Sequence, residues 1–515
     1  MARTAPPTAP PAAHKRPGSP ARRAVAGAPS KERIIADTLP IAIIGAGPVG
    51  LAAAAHLVER GLTPLILERG DMVGAAMLDW GHVRVFSPWS YDIDAAARRL
   101  LEGTGWSAPN PRALPTGGEI VRRYLAPLAA HPAIAPHLVL GATVVSVARA
   151  GLDKLTSAGR AAAPFSAAWR DRAGEEHRTP ARAVLDASGT WGTPNPMGVD
   201  GRPVAGEGEA ADLITTGIPD VAGQERARYA GATVLVVGAG HSAINVVLDL
   251  VRLQETAPGT RILWALRRDR AAGLRGGGAG DQLPARGALG LAAERVIADG
   301  RVEVLAPFAA ERIERRAGGL LVSGALRGAP IALAVDRIVV ATGFRPDLAL
   351  LRELRVVLDP ATEAPPALAP LIDPNVHSCG TVPPHGAREL AHPEEPGVYV
   401  VGAKSYGRAP TFLMATGYEQ VRSVVAEIAG DHAAARDVRL VLPETGVCST
   451  ALAGAEPASA GCCGGPGPAA VDACCLADAT AKAAGGDGCG CAAEGGRAIS
   501  VAAAPAGSAC CGGGR

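Results

Sequence analysis

Residues 41–50 read Ile-Ala-Ile-Ile-Gly-Ala-Gly-Pro-Val-Gly, and the rest of the chain is organised around them. The apolar run predicts a strand, and the Ala- and Leu-rich residues 51–59 predict a helix behind the glycines. Gly45 permits a sharp turn, Gly47 lets the backbone approach phosphate oxygens, and Gly50 allows close packing of helix on strand. This order predicts a dinucleotide whose pyrophosphate lies at the helix N-terminus. The alternative is an ordinary glycine turn in an α/β unit.

A carboxylate follows at the distance that this interpretation requires. The next apolar run ends at Glu68, a little over 20 residues after the first glycine, where an acidic side chain binds the ribose of a dinucleotide. We therefore assign Glu68 to the same site, together with the three glycines and Pro48.

The same pattern recurs in residues 233–243, which read Thr-Val-Leu-Val-Val-Gly-Ala-Gly-His-Ser-Ala. Ala243 replaces the third glycine with another small residue in the same packing role. The turn residues predicted to bind a second dinucleotide are Gly238, Gly240, His241, Ser242 and Ala243.

Two arginines distinguish the second site from the first. The strand predicted after the second turn ends in Arg267 and Arg268. Arginine makes bidentate hydrogen bonds to phosphate, so this pair predicts the extra ribose phosphate of NADPH. The alternative is that both arginines are solvated surface charge and that Asp269 contacts the ribose.

Composition excludes several classes of function. The net charge of +2 across 515 residues gives no indication of a nucleic acid or an anionic membrane as partner. No apolar run reaches the roughly 18 residues of a membrane helix. Residues 1–37 are rich in Pro, Ala and Arg and are predicted to be disordered, with no apolar region typical of export. We therefore expect a cytoplasmic protein without a membrane span.

The order of motifs predicts an α/β fold of two Rossmann-like domains, one inserted in the other. Residues 38–205 and 331–432 form the first, discontinuous domain, because the apolar strand at 336–341 is expected to return to the first sheet. Residues 206–330 form the inserted domain. Beyond about residue 433 a flexible tail of Gly, Ala and Cys is predicted.

Further candidates lie where the chain crosses between the predicted domains. Residues 79–94 are unusually rich in aromatic side chains, which could border a flat ring system or form a local core. Asn195 stands between two prolines and is either a turn residue or a contact to the edge of such a ring system. The remaining residues assigned to cofactor binding are Gly189, Gly343, Gly402 and Thr411.

With two nucleotide motifs and an Ala-Thr-Gly-Phe strand at 341–344, the body resembles the two-dinucleotide-binding flavoproteins. Within them, residues 187–194 and 238–243 are similar to the flavin-containing monooxygenases. The resemblance implies FAD in the first site, NADPH in the second, and hydride transfer from NADPH to FAD. Two departures stand out: the monooxygenase fingerprint before the second turn is absent, and Ala403 replaces the usual aspartate after Gly402.

Residues 377–386 and 402–417 resemble a narrower group, the flavoproteins linked to bacterial arsenic-resistance clusters. This resemblance implies a small-molecule substrate, with an arsenical as candidate. His377 and Cys379 are candidates for a catalytic role, with Asn195 as a third, although a lone cysteine is more often an inert buried residue.

The tail contains nine of the ten cysteines, mostly as adjacent pairs. Paired thiolates suit As(III) or another soft ion, and such pairs resemble those of arsenic metallochaperones in type. A redox shuttle to the flavin, zinc scavenging and a compositional accident are the alternatives. Two alternative functions follow from these pairs. The protein could be a thiol/disulfide reductase that uses them, or an As(III)-binding protein on a flavoprotein scaffold. The predicted metal ligands are Cys462, Cys463, Cys474, Cys475, Cys489, Cys491, Cys510 and Cys511.

Overall fold

A computed structural model describes residues 38–269, 274, 278–375, 382–409 and 413–440. Its strands are, in chain order, β1 (Ile41–Ile44), β2 (Pro64–Glu68), β3 (Leu138–Leu140), β4 (Thr143–Arg149), β5 (Phe165–Arg170), β6 (Glu176–Ala181), β7 (Ala183–Asp186), β8 (Ile214–Thr216), β9 (Thr233–Val237), β10 (Arg261–Ala265), β11 (Glu303–Leu305), β12 (Phe308–Arg316), β13 (Gly319–Leu326), β14 (Ala329–Val335), β15 (Arg337–Val340) and β16 (Val398–Val400).

Its α-helices are α1 (Pro48–Glu59), α2 (Ala75–Leu78), α3 (Trp89–Asp92), α4 (Ala95–Glu102), α5 (Gly117–Ile120), α6 (Ala126–Ala129), α7 (Arg226–Tyr229), α8 (His241–Thr256), α9 (Pro284–Ala298), α10 (Ala369–Ile372), α11 (Ala387–Leu390), α12 (Met414–Ile428) and α13 (His432–Arg436). A π-helical turn, Val121–Leu125, joins α5 to α6. Among the described residues, no helix combines the length and apolar character needed to cross a bilayer.

Two five-stranded sheets form the centre of the fold. The first has the order β16-β7-β1-β2-β3 and the second the order β11-β10-β9-β15-β8, and the pairs within both are parallel. Both glycine turns follow the central strand of their sheet. The central strands β1 and β9 are almost entirely buried, as expected for parallel sheets covered on both faces. The α/β prediction with two Rossmann-like sheets is confirmed.

Two antiparallel three-stranded sheets accompany the parallel ones. One has the order β4-β5-β6 and the other β12-β13-β14. Although they are adjacent in sequence, β3 and β4 lie in different sheets: β3 extends the first parallel sheet, whereas β4 pairs with β5.

The strand predicted to return to the first sheet was assigned wrongly. Arg337–Val340 pairs with β9 on one side and with β8 on the other, so it lies in the second sheet. Its apolar sequence fits any fully buried parallel strand and carries no information about its neighbours. The chain adds its last strand to the first sheet only at β16, beside β7. The predicted domain boundaries stay predictions.

The two sheets are joined by a pair of chain crossings that lie side by side. The Asn195 N–H donates to the Gly343 carbonyl at 2.9 Å, and the Arg345 N–H donates to the Thr193 carbonyl at 3.0 Å. An antiparallel bridge between Pro194 and Phe344 lies between these bonds. The connection is therefore a short two-stranded ladder.

Candidate cofactor and active site

The first glycine turn has the geometry that its sequence predicts. Gly45 has a φ of +101°, and a Cβ there would lie 2.8 Å from the Ala187 carbonyl oxygen. A Cβ at Gly50 would lie 2.0 Å from the Gly45 carbonyl oxygen, so helix α1 can approach the turn only with glycine at this position. At Gly47 a Cβ would meet no protein atom within 4 Å, and the open side belongs to a cavity that Pro48 also lines.

Glu68 joins the end of β2 to this turn. Its carboxylate is buried and accepts the Ala46 N–H at 2.6 Å and the Gly70 N–H at 2.7 Å. A carboxylate has about four acceptor positions. The two backbone contacts therefore fix its orientation and leave acceptor capacity on the cavity wall, where Glu68 is a lining residue. This is the arrangement expected of a ribose-binding acid.

The second turn repeats the first with different side chains. Gly238 has a φ of +136°, and a Cβ there would lie 2.3 Å from the Ala341 carbonyl oxygen. Gly240 is the N-cap of α8, and Ala243 is fully buried in the position that Gly50 occupies in the first turn. The first residue of α8 is His241, where the first helix begins with Pro48.

His241 is uncharged at neutral pH. Burial, reinforced by the nearby Arg286 cation and opposed by Asp281, lowers its pKa to about 4. Its ring lies 5.1 Å from the ring of Phe86, between centroids. The attraction of this turn for an anion therefore comes from the N-terminus of α8 and not from an imidazolium.

The two arginines predicted to distinguish NADPH are exposed just after β10. Their position at the carboxyl end of the strand beside β9 is the one that the prediction requires, since ligands of open α/β sheets bind outside these strand ends. The contact of Arg267 and Arg268 with a ribose phosphate stays a prediction.

One cavity of about 620 Å³ reaches both turns. Gly45, Gly47 and Glu68 line it from the first, and His241 and Ser242 line it from the second. The wall between them is largely apolar. Its large apolar side chains include Met77, Trp80, Phe86, Trp191, Leu413 and Met414.

The aromatic segment 79–94 is divided between the cavity wall and the core, and its contact with a flat ring system stays a prediction. Trp80 and Phe86 line the cavity, whereas Trp89 is 2% exposed and belongs to the core of the first sheet. Trp191 forms a further part of the wall: its indole N–H donates to Asp79 Oδ2 at 2.7 Å, and its ring packs 4.6 Å from that of Phe344.

The backbone conformation at two positions of the chain crossings requires glycine. Gly189 and Gly343 have φ values of +70° and +88°, and Gly189 lines the cavity. Asn195 lies in the crossing ladder, where its side-chain amide donates to the Thr342 carbonyl at 3.2 Å. This contact agrees with a turn residue, and Asn195 is not among the described residues that line the cavity.

A buried ionic cluster at the cavity wall has no counterpart in the sequence prediction. Lys404 Nζ lies 2.7 Å from Asp186 Oδ2 and donates to Ser188 Oγ at 3.0 Å. Asp186 is separated from Lys404 by more than 200 residues in sequence but ends the strand beside β16. Only knowledge of the strand order could have revealed this pair.

A buried carboxyl group, that of Asp92, is likewise not predicted from the sequence. Asp92 is fully buried, accepts a hydrogen bond from the cavity-lining Ser87 at 2.8 Å, and has no partner for Oδ2 among the described residues. Burial raises the pKa of Asp92 to about 7, against the opposing effect of the Ser87 hydrogen bond.

Several predicted site residues lie outside the described residues. They are Thr411, His377, Cys379 and the eight tail cysteines assigned to metal binding. Their roles stay predictions. Gly402, in contrast, is described: it has a φ of +71°, lines the cavity and packs on Val49 of α1.

Comparison with known proteins supports this description of the fold. Residues 43–104 match the model of an NAD(P)-binding Rossmann-like domain. The chain is 30% identical over 213 residues to an indole-3-pyruvate monooxygenase of Oryza sativa subsp. japonica. That match covers 41% of this chain and 44% of the relative.

Solved structures extend the similarity across the body of the chain. A bacillithiol disulfide reductase from Bacillus cereus has 19% identity and a TM-score of 0.55, covering 76% of this chain and 99% of the other. The reduced ornithine hydroxylase from Pseudomonas aeruginosa has 16% identity and a TM-score of 0.51, covering 77% and 99%. The fold is that of flavin-dependent monooxygenases and disulfide reductases.

The matched NAD(P)-binding Rossmann-like domain and the shared fold agree with the predicted class of FAD-dependent NAD(P)H oxidoreductase. The residues of the site fit both FAD and NADPH, because each glycine turn leaves its middle glycine open toward ligand space and presents a helix N-terminus. The predicted link to arsenic resistance is not shown by these comparisons.

Proposed function

We propose that this protein is an FAD-dependent, NADPH-consuming oxidoreductase of the monooxygenase type that acts on an arsenical. The observation that supports the redox function best is the single cavity shared by the two glycine turns, across which Phe86 and His241 approach each other to 5.1 Å. Two dinucleotides held at these turns would share this cavity. Such sharing is what electron transfer between two bound cofactors requires.

The first turn holds FAD. The N-terminus of α1 would hold the pyrophosphate, and the Glu68 carboxylate would accept hydrogen bonds from the adenosine ribose. Bound FAD supplies the two-electron chemistry that none of these side chains can perform. The protein contributes position: Gly45 and Gly50 bring the backbone of the turn close to strand and helix, which fixes the direction of α1.

The second turn holds NADPH. The N-terminus of α8 binds its pyrophosphate, and Arg267 and Arg268 bind its ribose phosphate. The neutral His241 packs against Phe86 and so forms the boundary between the two cofactor positions.

The apolar wall of the cavity keeps water from the reacting groups. Met77, Trp80 and Trp191 present apolar surface there, and the bond from Trp191 to Asp79 fixes the indole in place. Excluding water protects reduced cofactors from side reactions. A small, weakly polar substrate fits this wall better than a highly charged one.

The arsenical as substrate is supported by sequence resemblance and by the paired cysteines of the tail, which we propose bind As(III). A thiol/disulfide reductase that uses the same pairs is the second candidate. The two differ in the final electron acceptor, which is oxygen in the first case and a disulfide in the second.

The first test is the visible absorption spectrum of the purified full-length protein, followed by NADPH oxidation with arsenite, organic arsenicals and disulfides. We expect a flavin spectrum and NADPH oxidation that an arsenical accelerates, with matching oxygen consumption. A colourless protein that does not take up added FAD would refute the enzyme proposal.

A truncation after Pro443 separates the role of the tail from that of the body. If the truncated protein retains arsenical-dependent turnover, the tail is accessory and the reductase alternative fails. If turnover requires the tail, the variant Cys462→Ser/Cys463→Ser in the full chain shows whether a thiol pair is needed. Oxygen consumption without arsenical dependence would contradict the substrate proposal while leaving the oxidoreductase class intact.

A further inference from the structure

Lys404 is an unusual cavity residue because it is both charged and almost completely buried. Its side chain is 1% exposed, and it lines the cavity together with Ser188. The other lysine among the described residues, Lys154, lies at the surface. Burying an ammonium group costs several kcal/mol unless it is paired and hydrogen-bonded, so a buried lysine needs a local reason.

Only one of the two paired residues, Lys404, lines the cavity. Its Nζ contacts Asp186 Oδ2 at 2.7 Å, and Asp186, which is fully buried, is not a lining residue. Asp186 Oδ1 accepts both the N–H and the O–H of Ser188, at 3.1 and 2.6 Å. Lys404 is thus the member of the pair that belongs to the cavity wall, and Asp186 lies behind it.

This cation lies beside the first glycine turn. Ser188, which accepts from Lys404 at 3.0 Å, has its Cα 3.0 Å from where a Cβ on Gly45 would stand. Two residues before Lys404, Gly402 packs on Val49 of α1. Lys404 and the N-terminus of α1 therefore lie beside the same part of the cavity, where the positive end of α1 favours an anionic or oxygen-rich ligand segment.

The hydrogen-bonding capacity of Lys404 is incomplete within the described residues. An ammonium has three N–H donors, and two of them go to Asp186 and Ser188. The neighbouring Ala403 has no polar side chain to offer a ligand. The third donor has no acceptor among the described residues and is available to a ligand at the cavity wall.

We propose that Lys404 binds FAD by donating a hydrogen bond to oxygens of the chain that links the flavin ring to adenosine, and that Asp186 and Ser188 position it. This inference rests on the proposed use of FAD. The competing explanation is that the Asp186–Lys404 pair only ties β7 to the segment after β16.

Three variants of the full-length protein distinguish these explanations: Lys404→Met, Asp186→Asn, and the two combined. Lys154→Met is the matched control. FAD affinity is measured by fluorescence titration of the apoprotein, and folding is followed separately by thermal unfolding without FAD. The single Lys404→Met change leaves a buried carboxylate unpaired and lowers stability, so the double variant, which removes both charges, is the decisive one.

We expect the double variant to unfold at a temperature close to the wild type and still to bind FAD about 10- to 100-fold more weakly, the loss that one charge-assisted hydrogen bond produces. Titrations with FMN and riboflavin locate the contact. An equal loss for all three flavins places it on the ribityl hydroxyls, and a loss confined to the phosphorylated ones places it on phosphate.

If the double variant recovers both stability and FAD affinity, the pair is structural and the inference is wrong. If wild-type protein binds no FAD at all, the failure is that of the proposed function. The Lys154→Met control should match the wild type in both measurements.

Discussion

The two glycine turns have the same backbone geometry but different side chains around it. Each presses its first glycine against a carbonyl group of the neighbouring crossing, Gly45 on Ala187 and Gly238 on Ala341. The first turn is completed by a buried carboxylate on Glu68, whereas the second is followed by exposed arginines. The backbone geometry is thus common to any dinucleotide, and the side chains around it determine which dinucleotide binds.

The largest expected effect comes from the third small residue of each turn. In Gly50→Ala the new Cβ would lie 2.0 Å from the Gly45 carbonyl oxygen, so α1 must shift and the first turn must open. We expect complete loss of bound flavin. The reciprocal change, Ala243→Gly in the second turn, should retain flavin and lower stability by about 1 kcal/mol through helix propensity. Flavin content and urea unfolding measure both outcomes.

If Gly50→Ala retained its flavin, the close approach of α1 to the first turn would not be needed for cofactor binding. A loss of flavin in Ala243→Gly would instead show that the second turn supports the first site, and the two turns could not be treated as independent.

The acid of the first turn should have the next largest effect. Glu68→Ala leaves the Ala46 and Gly70 N–H groups without their carboxylate partner and removes the ribose acceptor. We expect FAD affinity to fall about 100-fold, equivalent to roughly 3 kcal/mol, with NADPH binding unchanged. Fluorescence titration measures the first quantity. Glu102→Ala, at the exposed end of α4, is the control and should bind FAD normally.

The arginines test the specificity of the second turn. Arg267→Ala and Arg268→Ala should each raise KM for NADPH about tenfold and leave KM for NADH unchanged, because only NADPH has the extra phosphate. Arg261→Ala is the matched control, since Arg261 is exposed at the opposite end of β10. Equal effects on both coenzymes would show that these arginines do not recognise the ribose phosphate.

The last effect develops only as the pH falls, and it concerns His241, the one ionisable side chain in residues 238–243. Burial holds the pKa of His241 at about 4, below the ordinary 6.5, so the unfolded chain takes up its proton first as pH falls. The contribution to stability is complete above pH 6.5 and is lost progressively toward pH 4. His241→Gln should therefore lose less stability than the wild type between pH 7.5 and 5, by up to about 2 kcal/mol in urea unfolding. Parallel pH profiles for the two proteins would contradict this assignment.

Local features could be predicted from the sequence, and features set by strand order could not. The turns at Gly45 and Gly238 depend on residues a few positions apart, and the structure has them where the sequence places them. The sheet of β15 depends on which strands lie beside it, and its apolar residues fit either sheet. The Asp186–Lys404 pair depends on the adjacency of β7 and β16 in the same way.

The two-stranded ladder between the sheets has a mechanical consequence. Bonds from Asn195 to Gly343 and from Arg345 to Thr193 tie the two connections together, so neither can swivel alone. Any reorientation of one nucleotide-binding half against the other therefore has to rotate about this two-stranded ladder. Spin labels flanking the ladder should keep their separation when NADPH is added. Labels far from the ladder, one on each half, should change their separation if the two halves reorient.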